Sequence, residues 1–229
     1  MNQVVHQEAL SDTPETSAAA RRLAEATRTR ADILDVAAHA FSEKGLAGAR
    51  INEIAAATRT SKRMIYYHFG SKEALYLATL EQKYRAVRER ESQLALDHMS
   101  PEDALRCLTS VTFDHHIANE DYIRMVMSEN INRAKYLRQS KDVQALNRPA
   151  IHTLTNIYQR GVASGVFRDG LDSADIHASI SALVFFNVSN RHTFGVIFSQ
   201  DTQSPAYTAT RRENIVQMVL RYVKNNPTN

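Results

Sequence analysis

One cysteine, no tryptophan, seven glycines and five prolines are spread over 229 residues. The lone Cys107 has no partner for an internal disulfide and excludes a cysteine-based zinc cluster; both fit a reducing cytosol. With so little Gly and Pro, and almost no apolar alternation of period two, the fold is expected to be all-α. No apolar run approaches the ~20 residues of a membrane span, so no membrane partner is expected. The opening "MNQVVHQEALSDTPETSAAA" lacks a basic start followed by an apolar stretch and is not read as a signal peptide. A cytoplasmic location follows as the expectation. Enzyme signatures are missing too: there is no Gly-rich phosphate loop, no Gly-x-Ser-x-Gly elbow and no His-Glu-x-x-His. The adjacent His115 and His116 point about 100° apart on a helix, with no second pair or acid cluster to complete a site. No metal and no other cofactor is expected.

The net charge of +3 is too small to argue for a polyanionic partner, but its distribution is uneven. From Arg21 to Lys72 there are ten Lys and Arg against five Asp and Glu, so the positive field belongs to the N-terminal third. Residues 1–26 read as a disordered lead-in, with "AAARRLAEATR" able to extend a helix or form a basic arm. Thr29 to Asp32 resembles a capping box, and Ile33, Ala37, Ala40 and Phe41 form one stripe until Gly45. Short helices follow over 51–58 and 62–68, the second capped by Ser61. A long fourth helix runs from about 71 to 97. Ser100-Pro101 and Ser204-Pro205 each place a cap before a proline at the first helical position. Asn119 is expected to cap a helix over 120–132, and Asp172 or Ser173 one that runs to about 198. A further helix over 141–163 carries Pro149, where a kink or late start is expected. The total is about nine helices, with a boundary near Ser71: 27–72 as a DNA-binding domain and 73–229 as a second, larger one.

Within "RTSKRMIYYHFGSKEALY", residues 59–76, no acid precedes Glu73. Lys62, Arg63, Tyr66 and Tyr67 share one helical face, while Ile65 and Phe69 point to a core. Two short helices separated by a tight break form a helix-turn-helix, whose second helix enters the major groove. Basic groups would pair with phosphates, and Arg63 would also suit a guanine edge. The free N–H groups at Ser61 and at Ser71-Lys72 favour an anion as well.

The segment from "ILDVAAHAFSEKG" through "INEIA" to "SKRMIYYHFGSKEAL" resembles the N-terminal domain of the TetR family of bacterial transcriptional regulators, over roughly residues 28–82. That resemblance implies a homodimeric DNA-binding regulator, usually a repressor, with a divergent C-terminal ligand-binding and dimerisation domain. By position it puts Thr60, Lys62, Arg63, Tyr66, Tyr67, His68 and Lys72 on the DNA-contacting surface, with Arg50 and Asn52 at the start of the second helix. Two departures stand out: Arg59 occupies a turn position where the family commonly has Gly, and Arg50 stands where a Ser or Thr often caps.

Elsewhere the expectations rest on residue type alone. Phe185, Phe186, Asn190 and Arg191 offer apolar walls with a few polar groups, the usual make-up of a small-molecule pocket. Arg124 and Met127 are further cavity candidates, with His115 and His116. Arg124, Arg191 and the histidines, His192 included, would suit an anionic effector, although each is equally an ordinary packing or surface residue. Ile215, Met218, Val219, Tyr222 and Val223 form one face of the last helix and are expected at a dimer interface. The partners expected are a double-stranded operator, a small-molecule effector and a second copy of the chain. The alternative is a DNA-binding or architectural protein with no ligand.

Overall fold

The computed structural model describes residues 14–225. Ten α-helices account for most of them: α1 (Pro14–Gly48), α2 (Ile51–Ala57), α3 (Lys62–Phe69), α4 (Lys72–Ser92), α5 (Pro101–Ala118), α6 (Glu120–Ile131), α7 (Val143–Ala163), α8 (Ser173–Ser189), α9 (Arg191–Phe198) and α10 (Pro205–Val223). The serine caps form as the sequence suggests. The side-chain oxygens of Ser61, Ser71, Ser100 and Ser204 accept from the backbone N–H groups of Met64, Ala74, Asp103 and Tyr207. Asp172 caps α8 through the N–H of Ala174.

Several expectations need correction. Residues 14–26, read as part of a disordered lead-in, are helical and continue into α1, while residues 1–13 lie outside the described residues. Gly45, at φ 64°, interrupts α1 where a stop was expected, and a short helical stretch then continues to Gly48. The fourth helix ends at Ser92 rather than near 97, and a 3-10 turn covers Leu96–His98. Asn119 precedes α6 without capping it; its Nδ2 donates instead to the His115 carbonyl at 2.8 Å. The expected eighth helix breaks at Asn190 (φ −113°, ψ 2°), which closes α8 and opens α9. That break turns ten helices out of an expected nine and brings Arg191 against Glu120.

Two main cores result. The first gathers Ile33, Phe41, Ile54, Ile65, Leu75 and Leu80 from α1 to α4, and Met125 from α6 completes it. The second gathers Leu105, Phe113, Leu154, Ile176, Val184 and Val219 from α5, α7, α8 and α10. A smaller cluster of Val87, Tyr122, Ile123 and Val188 lies between α4, α6 and α8. α4 therefore belongs to both halves, and the head's core extends well beyond residue 72. On α10, Ile215, Val219 and Val223 are at most 3% exposed because they fill the second core of their own chain. Of the face expected at a dimer interface, Met218 and Tyr222 remain in solvent.

Candidate nucleic-acid interface and effector region

α2 and α3 are held at an angle by the turn between them. Thr60 N–H returns to the Ala55 carbonyl at 3.1 Å, and Arg59 takes a φ of 53°. A non-glycine residue therefore does occupy the left-handed conformation in this turn. Arg50 precedes α2 in extended geometry and makes no side-chain cap bond, so its guanidinium stays outside the fold. Ile65 is fully buried on the inner face of α3, which fixes the opposite face outward. On that outer face Lys62, Arg63, Tyr66 and Tyr67 are exposed, Tyr67 most of all at 79%. Ser61 and Asn52 are exposed beside them, and Thr60 is half-buried. Lys62 Nζ lies 5.8 Å from the Tyr66 ring centroid, so charge and ring form one surface. His68 is set further back: it is half-buried, with Nε2 enclosed and without a hydrogen-bond partner. Lys72, half-buried, donates from Nζ to the Ala47 carbonyl at 3.2 Å, which anchors the start of α4 to the end of α1.

Such an arrangement suits a duplex. The first turn of α3 presents free backbone N–H groups beside Lys62 and Arg63, and both rings can lie along the sugar–phosphate backbone. Two profiles match the chain. "Bacterial regulatory proteins, tetR family" covers residues 33–79. "Tetracyclin repressor-like, C-terminal domain" covers residues 101–219. The chain belongs to the tetR family. It is 36% identical over 180 residues to the transcriptional repressor NicS of Pseudomonas putida, a match spanning 79% of this chain and 85% of the relative. It is 26% identical over 166 residues to the repressor AcnR of Corynebacterium glutamicum, spanning 63% and 87% of the two chains. Among solved structures, a tetR-family regulatory protein from Rhodococcus superimposes with a TM-score of 0.67 over 86% of this chain and 98% of its own, at 20% identity. This tetR-family chain is a DNA-binding transcriptional regulator of the helix-turn-helix repressor type, and its named relatives are repressors rather than enzymes.

The residues expected in an effector pocket do not gather in one place. Arg124 sits at the joint between α1 and α6: Nε donates to the Ser42 carbonyl at 3.0 Å, and the guanidinium pairs with Glu43 at 3.4 Å and Glu120 at 3.9 Å. Ser42 Oγ donates to Asp121 at 2.7 Å, and Arg191, only 10% exposed, pairs with Glu120. A cleft of about 320 Å³ opens at this joint, with Met127 and His192 on its walls. Both arginines expected as anchors for an anion are paired with carboxylates, although Arg191 Nε is enclosed without a hydrogen-bond partner. Phe185 packs beside Val87 and Tyr122. Phe186 points outward onto Phe194, at 5.7 Å between ring centroids, and Asn190 is exposed at the helix break.

His115 and His116 have different surroundings. His116 is 7% exposed, its Nδ1 lacks a partner, and its ring lies 5.9 Å from that of Tyr122. Burial, then the neighbouring His115 and Arg88, pushes its imidazole down to about 4. Burial also lowers His115 and His177, with Arg88 again contributing. Tyr84 stacks edge-on to Tyr122 at 5.3 Å, and burial raises both phenols. Arg88 pairs with Glu91, their side chains 14% and 13% exposed, and Arg88 Nε has no partner. Sequence reasoning missed Arg88, Glu91, His177, Tyr84 and Tyr122. The only local trace is the i, i+3 spacing of Arg88 and Glu91, which most surface helices also show.

Glu129 was missed as well. It is 3% exposed, and its Oε2 accepts from the N–H groups of Tyr136 and Leu137 at 3.2 and 2.9 Å. That carboxylate ties the loop after α6 down, and the Tyr136 ring then stacks on Tyr76 in the head's core at 5.4 Å.

Among the described residues, no group of three or more His, Cys, Asp or Glu is set to hold a metal, and no helix is long and apolar enough to cross a membrane.

Proposed function

We propose that this chain is a ligand-responsive repressor that binds a palindromic operator as a homodimer and leaves it when a small organic molecule enters the C-terminal half. The observation that carries this reading is the seat of Met125: a side chain of α6, 0% exposed, closes the core of the DNA-reading head. With Tyr136 stacked on Tyr76, the head has no boundary across which movement of the C-terminal helices would be lost. Residues 27–72 carry the DNA contacts, with Arg50, Asn52, Ser61, Lys62, Arg63, Tyr66, Tyr67 and Lys72 as the contacting set. Residues 73–229 carry ligand and dimer contacts. Thr60 and His68 shape that surface from behind.

Two such heads must meet successive major grooves about 34–36 Å apart. A change in the tilt of α4 or α6 alters that spacing. An effector then releases DNA by binding the wrongly spaced state more tightly, and a ~100-fold loss of affinity takes about 2.7 kcal/mol of coupling. Support for a dimer comes from apolar side chains left in solvent on the packed pair α8 and α10: Phe186 at 42%, Met218 at 40% and Tyr222 at 36%.

The test has two parts. Light scattering at micromolar concentration should report a dimer. Fluorescence anisotropy on a selected operator should show release by at least one compound that also raises the melting temperature. A monomer, or a protein that no stabilising metabolite displaces from DNA, overturns the reading.

A further inference from the structure

Resting on the ligand-responsive reading, we infer that the effector is an organic carboxylate whose acid group is taken by Arg88 in place of Glu91, with its body in the cleft between α4 and α7.

Three independent observations meet at Arg88. The first is space. A cleft of about 560 Å³ runs between α4 and α7, with Arg88 on its wall and Leu146 and Pro149 opposite. That volume falls within the usual range for small-molecule sites, about 300–1,000 Å³. Pro149 supplies no N–H to the Ala145 carbonyl, so the α7 wall of the cleft lacks one helical hydrogen bond there. A second cleft of about 230 Å³ adjoins it at Ser92 and is lined by Glu91.

The second observation is an unfilled bonding capacity. The Arg88 guanidinium spends one nitrogen on Glu91, while Nε is enclosed without a partner. Buried guanidinium groups are rarely left so, because the planar fork is built for two parallel bonds to a carboxylate. Glu91 holds its place at a cost: burial raises its carboxyl above its ordinary value despite the arginine beside it. A ligand carboxylate arriving with two aligned oxygens replaces a single bond with a fork.

The third observation is what lies behind the arginine. The enclosed Nδ1 of His116 has no partner, the Tyr122 ring lies 5.9 Å from its own, and Tyr84 packs against Tyr122 in turn. These neutral imidazole and phenol groups set no competing charge behind the arginine. At the mouth, Arg85 is balanced by Glu89 and Asp142, so selectivity for an acid must come from the inner arginine rather than from the rim.

The experiment uses the full-length protein, titrated first without DNA and then on its operator. Benzoate, phenylacetate and hexanoate are each titrated beside their primary amides, by calorimetry and by thermal shift. At least one acid should bind about tenfold more tightly than its amide, a difference of about 1.4 kcal/mol. Glu91→Gln frees Arg88 and should tighten acid binding about tenfold more, a gain that a purely structural ion pair would not give. Because Arg88→Gln alone strands a buried carboxylate, the paired variant Arg88→Gln/Glu91→Gln is the folding-competent control, in which acid and amide should bind alike. Amides that match their acids in the parent protein overturn the inference. So does a preference that survives in the paired variant, or an absence of acid binding in both parent and Glu91→Gln. Acids that bind without releasing the operator keep the site and overturn the regulatory reading. A neutral molecule that releases the operator while no acid binds does the reverse.

Discussion

In the reading head, Lys62, Arg63 and Tyr67 stand in solvent over a core of Ile33, Phe41, Ile54 and Ile65. In the C-terminal body, Arg88, His116 and Tyr122 lie beneath the surface, and the solvent-exposed side of α8 and α9 shows Phe186, Val196 and Ile197 instead. The two regions use opposite arrangements for a physical reason. A duplex is a rigid, highly charged partner that a protein meets at its surface, so phosphate-binding groups must be exposed. On the proposed reading, a small molecule would be held by burial, so its polar anchors are withdrawn and few. The cost of withdrawing them appears as displaced ionisation: burial drives His116, His115 and His177 down and Glu91 up, while the shift of Glu53 on the head comes chiefly from its bond to Lys44.

The sharpest way to break this division is to attack the residue that crosses it. Met125→Ala removes a fully buried side chain of α6 from the head's core and should cost about 2–5 kcal/mol in urea unfolding. Operator affinity should fall with it, although Met125 lies far in sequence from α3. An unchanged operator affinity in a variant that melts earlier would mean that the head closes without α6. The two regions would then be independent.

Acidification should separate them next. His116 titrates near 4 in the folded chain against about 6.5 when unfolded. Between those values the unfolded state binds the extra proton, so the stability held above about pH 6.5 is lost as pH falls toward 4. The difference corresponds to roughly 3 kcal/mol for His116, and His115 and His177 act in the same direction. Glu91, raised by burial, opposes the trend just above its ordinary range. Burial, His115 from α5 and Arg88 from α4 lower His116, and the Tyr122 ring of α6 packs against it. Melts across pH 4–7 should show a steep decline that His116→Gln flattens, while operator affinity of that variant at pH 7 stays at the parent value. A slope unaltered by His116→Gln would place the acid sensitivity elsewhere.

On the head the expected effects are smaller and fall on binding rather than stability. Arg63→Ala should cost about 1–3 kcal/mol of operator affinity and relax preference at one base position in each half-site. Its melting curve should stay within about 0.5 kcal/mol of the parent, since Arg63 is exposed. Binding-site selection decides the point: an unchanged preference assigns Arg63 to the phosphates.

The same contrast explains what could be read from the sequence. The head was legible within one contiguous segment, because a surface built for DNA keeps its contacting side chains on two adjacent helices at fixed spacing, flanked by a first helix and the start of the fourth. Ser61, Ser71, Ser100 and Ser204 were legible for an equally local reason, since a cap involves neighbours three residues apart. The inner cluster draws Arg88, His116, Tyr122 and His177 from four helices, and only tertiary packing makes them neighbours. Residue type alone therefore selected Arg124 and Arg191 as anion anchors, when Glu43 and Glu120 already hold them at the α1–α6 joint. The same limit applied to α10. Its apolar face is real, but one helix cannot say whether such a face meets its own chain or a second copy, and α5, α7 and α8 cover most of it.

The smallest expected effect lies at the turn, where head geometry and head charge coincide in one residue. Arg59 is exposed and holds a φ of 53°, a left-handed conformation that costs an L-residue about 1–2 kcal/mol. Glycine adopts it freely but loses about 0.5–1 kcal/mol through the greater freedom of the unfolded chain. Arg59→Gly should therefore stabilise the protein by about 0.5 kcal/mol net. Arg59→Ala keeps the strain and removes the guanidinium, so its stability should match the parent. If the charge serves DNA binding, both variants lower the slope of log affinity against log salt by about one unit. If only the turn geometry matters, neither does. Urea unfolding with a salt titration on each variant thus resolves strain from charge at one position. An alanine variant as stable as the glycine one would show that the surrounding turn relieves the left-handed strain without help from glycine.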